Sequence, residues 1–195
     1  MILVVHLAAL IQWVSPGPRR LLLCMFASIY FSRLTFMAGY VLQRELAMEE
    51  LTFVSLIWIP TILVSFTYGA ASSAGSPVTS RLVLATFAYF AGSFLNTFSE
   101  LQRKWWKSQP QNKGRCYTRG LFSLSRNVNY LGDIVLFAAW ADATDVWWNL
   151  WVPLVMTNTF VFHHIPDKEK YLAKRYEQDW PIYQASTKAL IPWIF

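Results

Sequence analysis

The sequence predicts an all-α integral membrane protein: a helical bundle of about six transmembrane segments, with a C-terminal amphipathic helix on the cytoplasmic face. Three observations point there. Of the 195 residues, 55% are hydrophobic and only 14% charged, whereas a soluble domain carries about a quarter charged residues. Polar side chains are therefore too few to coat a water-exposed surface. The run from Leu51 up to Arg81 and the run Leu82–Phe98 contain no charge, and each reaches or approaches the roughly 20 residues that a bilayer core requires. The net charge of +6 gathers in a few connections, as topology demands of a membrane protein. It therefore argues for no nucleic-acid partner.

Six hydrophobic segments follow in order: Met1–Val14, Leu21–Leu42, Leu51–Ala70, Leu82–Phe98, Tyr130–Trp140 and Trp147–Phe162. They make the chain a single membrane domain, 1–195. The first and fifth are short and must be tilted, broken or sheltered by neighbours. Met1–Val14 lacks the basic start of a secretory signal, and Pro16-Gly17-Pro18 is a poor cleavage site. It reads as a membrane helix that lacks its beginning.

Orientation follows from the connections. Arg103, Lys104, Lys107, Lys113, Arg115, Arg119 and Arg126 lie between Glu100 and Asp133 with no acid among them. That stretch and the basic tail after His164 belong on the cytoplasmic side. Ala71–Ser80 carries no charge and Ala141–Val146 only Asp142 and Asp145, which fits the opposite face. Arg19 and Arg20 are the exception, since alternation of the helices places them on that opposite side. In Pro166–Asp179, eight charged residues surround Tyr171, Leu172 and Tyr176, the pattern of an amphipathic helix lying on a membrane face. Trp105, Trp106, Trp147 and Trp148, at segment ends, have the character of interfacial anchors.

Polar groups inside apolar segments are costly, so they are the candidates for chemistry. Arg33 lies midway along Leu21–Leu42. A central arginine costs about 2.5–3.5 kcal/mol on insertion scales; it must face a polar interior, a neighbouring helix's carbonyls or a bound anion. Asn96, Glu100, Lys104 and Lys107 continue one helical stripe. They could hold the ribose and phosphates of a nucleotide, or mark a helix end emerging into the cytoplasm. The densest cluster is Gly120–Asp133, where Arg126, Asn129, Tyr130 and Asp133 stand at the entry to a short apolar segment. Asn129 and Asp133 share a helical face, and Arg126 is near enough in sequence to pair with Asp133. Cys24 and Cys116 read as unpaired thiols. His163 and His164, being adjacent, diverge on a helix and make a poor metal pair. No P-loop or Rossmann fingerprint occurs, so any nucleotide would sit in an intramembrane pocket.

Several runs resemble a known family. Lys188-Ala189-Leu190-Ile191-Pro192-Trp193-Ile194-Phe195, Gly120-Leu121-Phe122 and Asn129-Tyr130-Leu131-Gly132-Asp133 look like steroid 5α-reductases. The run from Ser125-Arg126 to Gly132-Asp133 also resembles the C14 and C7 sterol reductases. So does the tail: Glu169, Tyr171-Leu172, Arg175-Tyr176, Asp179-Trp180 and Tyr183. The likeness spans about Tyr30 to Phe195 and is most specific in the last third.

The resemblance implies an NADPH-dependent reductase of a lipid-soluble enone or sterol-like double bond, its cofactor held in the half 96–195. Its partners would be the bilayer and a hydrophobic lipid or steroid substrate, in the endoplasmic reticulum or another organelle membrane. Asn96, Glu100, Lys104, Lys107, Tyr117, Asn129, Asp133 and Tyr171 match cofactor-contacting positions, and Arg44 lies where a cofactor-binding arginine sits. Arg33 and Arg126 join them as cationic candidates. Tyr30, in the run Tyr30-Phe31-Ser32-Arg33, matches the tyrosine that polarises the substrate carbonyl, and a phenol can stabilise the developing charge and supply a proton. Two features depart from the family pattern. The two pocket carboxylates exchange lengths, Glu100 for Asp and Asp133 for Glu. Met1–Gln12 contains no acid, where the reductases carry a glutamate that partners the tyrosine. The alternative is accordingly a catalytically inactive member of the same fold, serving as a membrane subunit beside other membrane subunits. A lipid or prenyl-cysteine methyltransferase ranks third. Those enzymes show an Arg-His-Pro-x-Tyr run and a Glu-Glu pair; Arg126–Tyr130 lacks the His-Pro, and Glu169 has no acidic neighbour.

Overall fold

The computed structural model describes residues 1–42, 48–73 and 79–195, and among these the regular structure is helical, with no strand. The α-helices are α1 (Ile2–Trp13), α2 (Pro18–Phe36), α3 (Met48–Thr52), α4 (Ile59–Ser72), α5 (Ser80–Lys107), α6 (Val128–Ala143), α7 (Trp151–Thr159), α8 (Ile165–Arg175) and α9 (Trp180–Ser186). Proline opens α2, α4, α8 and α9 within the first two positions, where its fixed φ suits a helix and its missing N–H costs nothing. Among the described residues π-helical stretches interleave: Met37–Val41 extends α2, Phe53–Trp58 leads into α4, and Phe160–His164 runs from α7 into α8.

Among the described residues, three helical stretches are long and apolar enough to cross a membrane: Pro18–Val41, Phe53–Ser72 and Ser80–Lys107. They correspond to the second, third and fourth expected segments. The other three fall short. α1 has 12 residues, α6 has 16 and α7 has nine before its π-helical extension. At 1.5 Å per residue, 16 residues cover only about 24 Å of a core about 30 Å thick. The sixth expected segment also starts later, because Trp147–Leu150 forms a 3₁₀ turn. Large apolar side chains stand outward on these helices, including Val64, Leu84, Phe87 and Leu154, each about two-thirds exposed. Apolar surface on that scale suits lipid rather than water.

The chain forms two compact units: Met1–Phe90 with Phe137–Pro153, and Ala91–Leu136 with Leu154–Phe195. The first is built around Trp140, which is 1% exposed. The rings of Tyr30, Phe66, Tyr89, Phe137 and His6 surround it at centroid distances of 5.6, 5.5, 5.9, 6.1 and 6.4 Å. Phe26 stacks on Tyr89 at 3.9 Å, and the Tyr89 hydroxyl donates to the Phe26 carbonyl at 2.6 Å. The anomalous Arg19 is accounted for here. Its guanidinium lies 3.1 Å from Asp145 and donates to Ser73 Oγ at 3.2 Å. Arg81 pairs with Asp142, and Arg20 donates to the Ile11 carbonyl at 2.9 Å. The acids of the Ala141–Val146 connection thus neutralise Arg19 and Arg81.

The second unit is organised by a glycine contact between α5 and α6. A Cβ on Gly92 would stand 2.6 Å from the Gly132 carbonyl oxygen and 2.5 Å from Leu136 N; a Cβ on Gly132 would stand 2.5 Å from Asn96 N. Only glycine permits backbones this close, the usual device where helices pack without a hydrophobic driving force.

Candidate functional site

The backbone contact at Gly92 and Gly132 brings the polar stripe of α5 against the start of α6. Asn96, buried, donates through Nδ2 to the Asn129 main-chain carbonyl at 3.0 Å. Asn129 is itself buried, and its side-chain Oδ1 is enclosed without a hydrogen-bond partner. One turn further along α5, the buried Glu100 pairs with Arg103. The Arg103 guanidinium lies 5.6 Å from the centre of the Phe122 ring.

The Ser125-Arg126-Asn127 run is clamped to the C-terminal segment. Arg126 N donates to the Lys188 carbonyl at 2.9 Å, and Asn127 Nδ2 and Ser125 Oγ donate to that of Ala189 at 2.8 and 3.2 Å. Two of the runs that stand out in the sequence therefore hold each other. The Arg126 guanidinium is largely buried and reaches across to α8, meeting Glu169 through Nε at 2.9 Å and through a terminal nitrogen at 2.8 Å. It also donates to the carbonyls of Gln184, at 3.0 Å, and Thr187. The expected Arg126–Asp133 pair is thus replaced by Arg126–Glu169. A guanidinium fork can serve a carboxylate and two carbonyls at once.

Lys168, beside Glu169 on α8, is the unforeseen member. Its Nζ is buried with no hydrogen-bond partner, 4.8 Å from the centre of the Tyr130 ring and 5.9 Å from that of Phe122. Burial first, and then the charge of Arg103, lower its pKa to about 8, against the opposing pull of Glu100 and Glu169. Both of those carboxylates already have an arginine. Three cations thus meet two acids, and one positive charge is left over.

A supporting network surrounds this cluster. Lys107 donates to the Arg115 carbonyl at 2.5 Å and to the Tyr176 hydroxyl at 2.7 Å. Arg115 forks onto Asp179 at 2.8–3.1 Å, and Cys116 N donates to the same carboxylate at 2.8 Å. Together these hold the Asp179 carboxyl below its ordinary pKa, and burial raises the Cys116 thiol. Tyr117 packs between Trp106 and Phe122, at 5.3 and 5.8 Å. The Tyr183 hydroxyl donates to the Phe122 carbonyl at 2.6 Å, and burial pushes its pKa up.

Of the sequence-predicted residues, Asn96, Glu100, Lys104, Lys107, Tyr117, Arg126, Asn129, Asp133 and Tyr171 all belong to the second unit. Tyr171 stands apart there, 56% exposed and bonded to Arg175 at 2.6 Å. Lys104 and Asp133 are half-buried on α5 and α6. Tyr30 and Arg33 belong to the first unit, with the Arg33 guanidinium 5.5 Å from the centre of the Tyr30 ring. Arg44 lies outside the described residues. The sequence reading missed Lys168, Arg103, Phe122 and Asp179 as participants. One signal could have found Lys168. It stands three residues after Ile165 and four before Leu172, so it interrupts the inward stripe of α8 with a charge.

A sequence family described as a protein of unknown function (DUF1295) matches residues 1–187. The chain belongs to that family, which is related to steroid 5α-reductase-like proteins. It is also similar to a protein of Ustilaginoidea virens described as probable O-methyltransferase ustE, at 33% identity over 116 residues. That match covers 58% of this chain and 41% of the relative, so it reaches about two-fifths of the relative's length.

Proposed function

We propose that this DUF1295 protein is an NADPH-dependent reductase of a lipid-soluble enone or sterol-like double bond. In this reading all six hydrophobic segments lie in or against an organelle membrane, such as the endoplasmic reticulum, and α8 rests on the cytoplasmic face. The supporting observation is that the Asn129 Oδ1 acceptor and the Lys168 Nζ donor are among the buried polar atoms of the second unit that lack a hydrogen-bond partner, as Thr97 Oγ1 and Asn127 Oδ1 also do. Buried polar groups without partners are costly, and a native site that keeps them calls for a reason. A nicotinamide dinucleotide phosphate answers both, with phosphate oxygens for the ammonium and hydroxyl or amide hydrogens for the acceptor. Asn96, Glu100, Lys104, Asn129 and Asp133 would hold it, with Arg126 orienting Glu169 and with Lys107 and Tyr117 supporting the wall. When bound, the cofactor supplies hydride. In the first unit, Tyr30 has a phenol able to stabilise negative charge on a carbonyl oxygen, and the nearby Arg33 cation favours such charge.

The test is a fluorescence titration of the detergent-purified protein with NADPH. Binding at micromolar concentration, lost in Asn129→Ala, is the expected result; no binding of any nicotinamide would sink the reading. Methyl transfer is the second reading, favoured by the likeness to the probable O-methyltransferase. S-adenosylmethionine binding without NADPH binding would decide for it. Binding of neither, with stable co-purification of membrane subunits, would support a catalytically inactive member of the fold.

A further inference from the structure

The two arginine–carboxylate pairs flank Lys168 without satisfying it. On α5, Glu100 is taken by Arg103; on the Arg126 side, Glu169 is held by two guanidinium nitrogens. Two aromatic faces stand against Nζ, Tyr130 at 4.8 Å and Phe122 at 5.9 Å. Those faces stabilise a cation but take none of its three hydrogen bonds. Phe122 is itself anchored, since its carbonyl accepts from the Tyr183 hydroxyl and its ring carries Arg103 on the same site. The ammonium is thus positioned by fixed rings, desolvated, and left with donors to give.

We propose that the Lys168 ammonium is the anion-binding group of this site and takes a phosphate of a nucleotide cofactor. A compact ammonium serves phosphate well as a point charge, and a buried ammonium without a hydrogen-bond acceptor calls for an anionic ligand. The nucleotide part of this inference rests on the reductase reading; the anion site itself does not. The titratable and charged neighbours that act on Lys168 are Arg103 and Glu100 from α5, Glu169 from α8 and Cys116 from the connecting loop. With its pKa near 8, Lys168 carries its charge at neutral pH.

The experiment compares wild type, Lys168→Met and Lys168→Arg as full-length chains in detergent, titrated with NADPH and, separately, with inorganic pyrophosphate. A charge-assisted hydrogen bond is worth about 1.5–3 kcal/mol, so Lys168→Met should weaken NADPH binding about 10- to 100-fold. Lys168→Arg should retain most of the affinity. Pyrophosphate should raise the melting temperature of wild type and not that of Lys168→Met. Unchanged melting of the unliganded Met variant, or higher melting, establishes that it folds. If NADPH binds wild type and Lys168→Met alike, the anion assignment falls and the reductase reading stands. If NADPH fails to bind wild type while the pyrophosphate effect depends on Lys168, the reductase reading falls and the anion site stands. If neither probe acts on wild type, both fall.

Discussion

The Asn96 side chain donates to the main-chain carbonyl of Asn129 at 3.0 Å, while the Asn129 side-chain oxygen, equally buried, receives no hydrogen bond. The Asn96 amide thus ties α5 to α6, while the Asn129 oxygen is held ready. Asn96→Ala should lower stability by about 0.5–1.5 kcal/mol, because the buried hydrogen bond that ties α5 to α6 is lost. Asn129→Ala should change stability little and abolish cofactor affinity. Thermal unfolding in detergent and NADPH titration of the two variants separate the roles.

Gly132→Ala should be the more damaging of the small substitutions. Its Cβ would stand 2.5 Å from Asn96 N and 2.7 Å from the Gly92 carbonyl oxygen, both main-chain atoms that cannot swing aside. Overpacking of this kind costs about 1–3 kcal/mol, and separating α5 from α6 should also lengthen the Asn96–Asn129 bond. Loss of both melting temperature and NADPH affinity is expected. A melting temperature equal to that of wild type would contradict the close backbone approach.

Lys168 should destabilise the empty protein. Its folded pKa of about 8 lies below the ordinary 10.5, so the folded state binds the proton more weakly than the unfolded state. Below pH 8 both states are charged and the full cost is present; it disappears as pH rises from 8 to 10.5. At roughly 1.4 kcal/mol per unit the cost is about 3 kcal/mol. Lys168→Met should therefore melt several degrees higher than wild type at pH 7, with the difference vanishing by about pH 10.

Asp179 should act at the other end of the scale. Arg115 and the Cys116 N–H lower its pKa below 3.8, so its stabilising contribution is complete above pH 3.8 and is lost as pH falls through the lower folded value. Asp179→Asn should melt below wild type at pH 6. The gap should close as both are measured toward pH 3.

Arg126 holds Glu169 and two carbonyls at once. Arg126→Met strands a largely buried carboxylate and should cost about 3–5 kcal/mol. Adding Glu169→Leu should recover part of that loss, since the stranded charge is then gone. A double-mutant cycle by thermal unfolding measures the coupling.

Much of the site was legible in the residues. Asn96 and Glu100 lie four apart on an uninterrupted apolar helix, so their shared face follows from helical periodicity. The Gly120–Asp133 cluster stood out because polar side chains entering an apolar segment are expensive. Tyr171 was placed by matching position along the chain, and it stands 56% exposed while the neighbouring Lys168 turns inward. Three residues of helical rotation, about 60° short of a full turn, separate those fates. Arg19 broke the topological pattern in sequence because its partner, Asp145, lies far along the chain.

A deficit of charge and long uncharged runs are properties of composition, so an apolar helical protein suited to a membrane follows without any knowledge of contacts; that three of the six expected segments form helices long enough to cross one does not. Pairing across distance does not follow. Arg126 meets Glu169 at a separation of 43 residues, and nothing in either local sequence prefers that acid to Asp133. The choice is made where Gly92 and Gly132 let two backbones touch and where the C-terminal segment docks on Ser125–Asn127. Those contacts distribute the arginines among the carboxylates, and the distribution leaves the buried Lys168 ammonium without a hydrogen-bond partner.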